Sequence, residues 1–443
     1  MRPRIQKGLS LVTSLAMVMT MCTGFTSISW ASEASGDDGS QVVENAAGGG
    51  SSQADDVSQG DDAQVGVKAN DFSVQATFEG SGTKADPYKL STAADLVNLA
   101  NKVNNGSGND PKIYSGFYFQ LENDINLSVA SDNFEPSDFV PIGTSENYFS
   151  GDFDGKGHTV TLAINDKSLT GAGLFGAAGG GAVIHDVTIE GSVTAMYNVA
   201  GLVGQAKSNL TVKNCTNNAK ISSDLSTGSA YYGAGGLIGV SNVGDLTVDS
   251  CENTGEVSTY ASSTSGVGGI VFGGVIGGVW AYSSISSEVV VTNCINTGAV
   301  AGVPVYKGVG GVIGRCDAFA TIESCTNKNS VSAAGTCSLS PYGCVGGIVG
   351  YLSGKSSSLI ANVYRCSNEG QLTGPNGNKA SIGGVVGQLG NAYTTVTECF
   401  NKGAVSTATS CGGYVGGVVG YGSSSPISNC YNTSKVKIGR AHV

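Results

Sequence analysis

The chain has 443 residues, 23 lysines and arginines against 34 aspartates and glutamates, a formal net charge of -11 and 68 glycines. So acidic a chain offers no basic patch for a phosphate backbone, which excludes nucleic-acid recognition. So glycine-rich a composition is not that of a compact enzyme.

Residues 1–31 read as a secretory signal. Arg2, Arg4 and Lys7 precede an apolar run from Leu9 to Met21, and Ser29-Trp30-Ala31 puts small residues around a cleavage point after Ala31. The run is interrupted by Thr and Ser and is short for a membrane span of about 20 residues. The mature chain is therefore expected to be exported without a span. Residues 32–70 change to Gly, Ser, Gln and acidic pairs (Asp37-Asp38, Asp55-Asp56, Asp61-Asp62). Such a segment cannot bury enough apolar area to order itself, so it reads as a disordered spacer.

Residues 71–170 read as a cap followed by the first coils of a repeating structure. Thr92-Ala-Ala-Asp95 is a capping box, and Leu96, Val97, Leu99, Ala100 and Val103 share one helical face behind it. A short amphipathic helix here would cover the exposed end of a solenoid. Strand-like runs follow at Phe117–Leu121, Ile125–Leu127 and within Phe149–Val160.

Residues 171–436 are written as repeats. Glycine-framed apolar tetrads recur at Gly201-Leu-Val-Gly204, Gly236-Leu-Ile-Gly239, Gly274-Val-Ile-Gly277, Gly311-Val-Ile-Gly314, Gly347-Ile-Val-Gly350, Gly384-Val-Val-Gly387 and Gly417-Val-Val-Gly420. Each is followed by Cys-x-Asn: Cys215/Asn217, Cys251/Asn253, Cys294/Asn296, Cys325/Asn327, Cys366/Asn368, Cys399/Asn401 and Cys430/Asn432. Gly173-Leu-Phe-Gly176 is a divergent earlier tetrad, with Val187 standing where the later repeats have Cys and Val193 aligned on Ile221. A Val or Ile precedes each Cys (Val212, Val248, Val291, Ile322, Val363, Val396, Ile427), and glycines recur just past the Asn (Gly255, Gly298, Gly370, Gly403), where a positive φ is expected. Self-similarity at this period means one unit stacked on copies of itself. With three β-branched runs per repeat and no helical face, the fold class is all-β, a parallel β-helix.

At these residues the chain resembles the GLUG-motif family of bacterial surface proteins. The resemblance rests on Gly-Thr-x-x-Asp-Pro-Tyr before the helix, on Phe-Ser-Gly-x-Phe-Asp-Gly-x-Gly-His-Thr-Val from Phe149, and on the repeated Gly-Gly-Φ-Φ-Gly with Cys-x-Asn, and it covers residues 78–436. It implies a right-handed parallel β-helix displayed on the cell surface in adhesin-like proteins. Similar modules occur as appendages of immunoglobulin A-specific metallopeptidases. Such a peptidase needs His-Glu-x-x-His, and the histidines here, His158, His185 and His442, are not so spaced.

The candidate chemistries are few. Seven of the twelve cysteines share one repeat position, where stacking at about 4.8 Å exceeds the roughly 3.8 Å Cβ separation of a disulfide. They read as a free buried ladder, and Val187 at the same position marks it as a small apolar slot. Cys337 and Cys344, outside the ladder, are the better candidates for a bridge. The seven Asn read as a second ladder, each tolerating left-handed φ and bonding its copies above and below. Asp152 and Asp154 are close carboxylates beside His158, but Asp-Gly-Lys-Gly reads first as a turn. No metal or cofactor site is expected.

Two features suggest binding. Adjacent aliphatics in a tetrad cannot both face inward along a straight strand, so one is expected to form an exposed stripe or to lie beneath loops. Aromatics recur in the loops: Tyr231, Tyr232, Trp280, Tyr282, Tyr306, Tyr342 and Tyr414. Flat rings of this kind can stack on sugars or peptides.

The tail, residues 437–443, departs from the repeat, and Ile438-Gly-Arg-Ala-His-Val443 matches a translation of common sequencing-adapter DNA. It is expected to be non-native, with the natural protein continuing further. The sequence thus points to an exported, surface-displayed, non-catalytic module that presents a rigid repeat face to a host glycoprotein, glycan or matrix ligand. The alternatives are an accessory region of a larger secreted metallopeptidase and, last, a polysaccharide lyase or hydrolase.

Overall fold

The computed structural model describes residues 78–106, 114–131, 133–223, 232–242, 244–259, 270–280, 287–302, 308–334, 343–375, 380–407, 413–422 and 424–437. The expected signal peptide, the acidic spacer and residues 438–443 lie outside them.

The chain is a parallel β-helix. One coil shows how the sequence makes it: strands run at Tyr232–Gly235, Ile238–Ser241, Leu246–Asp249, Glu252–Asn253 and Val257–Thr259. Every run is short because Gly, Asn or Ser interrupts it, and each hydrogen-bonds in parallel to its copy one coil away, as Leu246–Asp249 does to Leu210–Lys213 below and Val289–Thr292 above. Val212, Val248, Val291, Ile322, Val363 and Val396 fall in one register and are buried. One of the resulting sheets stacks eleven strands in single file, from Tyr88–Leu90 to Ile427–Ser428. Ten spacings of about 4.8 Å make that face roughly 50 Å long.

The helix spans Ala93–Asn104 and buries the predicted face of Leu96, Val97, Leu99, Ala100 and Val103. Its capping box is complete: Asp95 N donates to Thr92 Oγ1 at 3.3 Å, and Thr92 N donates to the Asp95 carboxylate at 2.9 Å. Phe119, Phe149, Phe153 and Phe175 fill the interior near it with tilted and edge-on ring contacts at 4.9–6.5 Å. The first coils are thus filled by several large rings, where the later coils rely mainly on Val, Ile, Leu and Cys.

Three local expectations are corrected. The tetrads are corners and not strands: in Gly236-Leu-Ile-Gly239 the chain bends at Gly236-Leu237 before the next strand begins at Ile238. The bend turns both aliphatics inward, so Leu237 and Ile238 are both fully buried, as are Val275 with Ile276 and Val312 with Ile313. The tetrads therefore leave no exposed apolar stripe along these coils, and a coil carries five short runs in place of three. The left-handed backbone sits one residue before the Cys, at Asn214, Ser250, Asn293, Ser324, Arg365, Glu398 and Asn429, with φ between 51° and 56°. It does not sit at the stacked Asn or at the glycines that follow. Gly255 is needed for closeness: a Cβ there would run into the carbonyl oxygen of Ala219 one coil below.

Candidate functional site

What repeats in the sequence is directed inward. Each stacked Asn donates one amide hydrogen to the next Asn, at 2.8 Å from Asn217 to Asn253, 2.7 Å from Asn253 to Asn296 and 2.8 Å from Asn296 to Asn327. The line continues at 2.7 Å through Asn368, Asn401 and Asn432. The second amide hydrogen closes the local turn, as from Asn296 to Gly298 O at 2.8 Å. Both donors are therefore spent inside the core, as buried amides require.

The thiols form a parallel line. Each donates to the carbonyl two residues back, as Cys251 does to Asp249 O at 3.2 Å, and some accept from the backbone of the preceding Cys, as Cys366 Sγ does from Cys325 N at 3.4 Å. Cys215, Cys251, Cys294, Cys325, Cys366, Cys399 and Cys430 are all free thiols. Neighbouring thiols and burial hold Cys251 and Cys325 well above the ordinary thiol range, and burial pushes Cys316 up to about 12. Cys316 therefore stays protonated and poorly nucleophilic at neutral pH, whereas along the ladder the shared hydrogen bonds push alternate thiols in opposite directions, Cys294 and Cys366 downward. Val187 occupies the same slot in the earlier coil, buried behind Asp186 with φ 55°. Cys344 donates to Gln388 Oε1 at 3.2 Å, while Cys337, its expected bridge partner, lies outside the described residues.

Three of the candidate binding aromatics, Tyr232, Trp280 and Tyr414, lie among the described residues. Tyr231, Tyr282, Tyr306 and Tyr342 lie outside the described residues. Tyr232 is half-buried and stacked on Tyr197, with ring centroids 3.7 Å apart. Trp280 is a correction: it is 3% exposed, packed with Val240 and Val271 as a core residue and not as a platform for a ligand. Loop position suggested exposure, but the side chain belongs to the strand Ile276–Trp280 and folds back over Gly278. Tyr414 lies on the last described coil, 49% exposed and 4.7 Å from the Tyr421 ring.

A groove of about 220 Å³ opens beside the cap, lined by Asn104, Pro141, Thr144, Glu146, Leu169 and Gln205 among others. Its amides are engaged in holding the walls: Asn104 donates to Pro141 O at 3.1 Å and accepts from Gly143 N at 2.7 Å, and Gln205 donates to Thr170 O at 2.8 Å.

The carboxylate pair has a different histidine from the one its sequence neighbourhood suggests. Asp152 and Asp154 flank Phe153 on one strand, and the next coil places His185 in register with Asp154. His185 Nε2 lies 3.1 Å from Asp152 Oδ1, and Nδ1 lies 2.6 Å from Asp186 Oδ2 and 3.7 Å from Asp154 Oδ1. His158 pairs with Asp124, at 3.1 Å. The hydrogen bond to Asp152 raises the His185 pKa to about 9 against the opposing effect of burial, with Asp186 and Asp154 adding to the rise. Sequence reasoning missed His185 because it is brought to the pair by coil register. Extending the alignment of Asp186 on Asn214 one coil toward the N-terminus, onto the turn after Asp154, would have found it.

No protein-family model matches the chain. It is 32% identical over 131 residues to a protein of Evansella cellulosilytica described as "Putative Gly-rich membrane protein", a match covering 29% of this chain and 14% of that one. It is 30% identical over 177 residues to "Halomucin" of Haloquadratum walsbyi, covering 39% of this chain and 2% of that one. The matched part of the chain thus spans a small fraction of each relative. Among solved structures, the crystal structure titled as a putative immunoglobulin A1 protease from Bacteroides ovatus aligns with a TM-score of 0.44 and 17% identity, over 80% of this chain and 86% of that one. Among the described residues, no helix is long and apolar enough to cross a membrane.

Proposed function

We propose that this chain is the shaft of an exported, surface-displayed protein, a non-catalytic module that spaces and presents contact residues to a glycoprotein, glycan or matrix ligand. The observation that carries the reading is the division between the two sides of the coil. Inside, the same Asn, Cys and aliphatic recur layer after layer. Outside, the column in register at the end of the long sheet reads Lys213, Asp249, Thr292, Glu323, Tyr364, Thr397. A repeat that fixes its interior and leaves its surface free serves length and stiffness, and any ligand contact belongs to individual coils. The GLUG-type motifs and the description of one relative as a membrane protein support a place at the cell surface.

The test is display and adhesion on the source cells. Antibodies against residues 201–436 should label intact cells, and beads coated with the full chain should retain immobilised glycoproteins or glycans, with Tyr414→Ala weakening retention. Labelling only after lysis would overturn the surface reading. Labelling with no retention on any glycan, glycoprotein or matrix protein would leave a spacer and remove adhesion.

A further inference from the structure

The cluster around His185 does not belong to the shaft's repeating interior. In this coil the repeat departs from its own pattern: Val187 replaces the Cys, Ile189 stands in register with Asn217, and Asp186 takes the left-handed position held by Asn214, Ser250 and Asn293 above. The result is three carboxylates about one imidazole.

We propose that Asp154, His185 and Asp186 bind a single divalent transition-metal cation of the zinc class. One ligand atom from each, Nδ1 of the imidazole and one oxygen of each carboxylate, all lie within 4.8 Å of one another. Metal bonds of about 2.0–2.2 Å place neighbouring ligand atoms roughly 3–3.4 Å apart. The observed separations of 2.6 Å and 3.7 Å from Nδ1 bracket that value, so small side-chain rotations suffice.

The surroundings orient the donors. Asp152 sits on the far nitrogen at 3.1 Å, the carboxylate–histidine arrangement that fixes ring orientation and tautomer in metal sites. Asp186 accepts from Asn214 Nδ2 at 3.1 Å through Oδ1, which leaves Oδ2 turned to the ring. Asp154 accepts from Lys156 N at 2.7 Å, and the two turns are tied by Gly155 N to His185 O at 2.8 Å and Gly157 N to Asp186 O at 2.7 Å. Of the nearby cations, Lys156 Nζ lies 3.8 Å from Glu122, and Lys213 stands in register with His185 on the next coil.

Binding replaces the Nδ1 proton by the cation and releases that proton to solvent. A mixed nitrogen and oxygen donor set favours zinc or a similar imidazole-binding ion over calcium and magnesium, which take oxygen. With side-chain exposures of 25%, 36% and 41% at His185, Asp154 and Asp186, the remaining coordination positions open to solvent.

The experiment is equilibrium dialysis of the full chain against Zn2+ at pH 7.5, with accessible thiols alkylated beforehand and the fold of each variant checked by its melting curve. Wild type should bind one ion that His185→Gln and the double change Asp154→Asn/Asp186→Asn both lose. Asp152→Asn should keep the stoichiometry while weakening affinity about ten- to a hundredfold, as loss of an outer carboxylate does. Co2+ added to wild type should give ligand-field absorption and a paramagnetically shifted imidazole resonance, a readout that requires no variant. Equal Zn2+ binding by wild type and His185→Gln, or a silent Co2+ sample, would overturn the proposal.

Discussion

A methyl group placed on Gly236 would overlap the side-chain carbonyl of Asn253, so the first glycine of a tetrad and the Asn of the following Cys-x-Asn meet inside the same coil. The pairing recurs at Gly274 with Asn296, Gly311 with Asn327, Gly347 with Asn368 and Gly384 with Asn401. The two motifs are therefore one device: the glycine leaves the room in which the amide ladder runs. Gly236→Ala should cost about 2–3 kcal/mol, because the added carbon is walled by that amide and by the Gly274 carbonyl of the next coil. Gly157→Ala, with φ +81° but nothing within 4 Å, should cost only about 1 kcal/mol. Urea melts of the two variants settle the order, and equal losses would mean that backbone conformation and not crowding sets the requirement.

The amide ladder makes a charge test. Asn296 donates to Asn327 Oδ1 and to Gly298 O, so Asn296→Asp replaces two donated hydrogens by a carboxylate facing two acceptors. Such a buried, unpaired charge should cost about 3–5 kcal/mol at neutral pH. The buried carboxyl has a folded pKa above its unfolded value, so its penalty is present at high pH and shrinks as pH falls and the acid protonates. Thermal melts of both proteins from pH 7 to pH 4 should show the gap narrowing; a constant gap would mean that lost packing is responsible.

The cap helix was legible in full because both its signals are local: a capping box and a one-sided apolar face. The two ladders were legible as columns because repetition reports inward positions without any knowledge of the coil's shape. The corner at Gly236-Leu237 was not, since a run of Gly and aliphatic residues reads equally as a strand until a second strand is seen packed backbone to backbone against it. Gly233 shows that packing: a Cβ there would strike the Gly239 carbonyl. The His185 cluster was illegible for a different reason, because its members are joined by the stacking of two coils.

Trp280 and Tyr414 divide structure from recognition. Trp280→Ala empties a buried site between Val240 and Val271 and should cost about 3–5 kcal/mol. Tyr414→Ala, at an exposed ring, should stay within about 0.5 kcal/mol of wild type. Any loss of ligand retention in the tryptophan variant should then follow its unfolding, whereas loss in the tyrosine variant should occur in a protein that melts normally. Full stability of Trp280→Ala would return that residue to the list of ligand contacts.

The His185 cluster sets a pH dependence in metal-free protein. Because its folded pKa is raised, to about 9 against 6.5 for an ordinary imidazole, folding binds its proton more tightly than the unfolded chain does. Its contribution is complete below about pH 6.5 and declines as pH rises through about 9. With chelator present, wild type should lose stability relative to His185→Gln between pH 7 and pH 9.5, the comparison cancelling the lysines, tyrosines and thiols that titrate in both. Asp152→Asn should move the decline to lower pH by removing the partner that raises the imidazole most. An NMR titration of the His185 ring gives the same midpoint directly, and a midpoint near 6.5 would show that the carboxylates do not hold the proton.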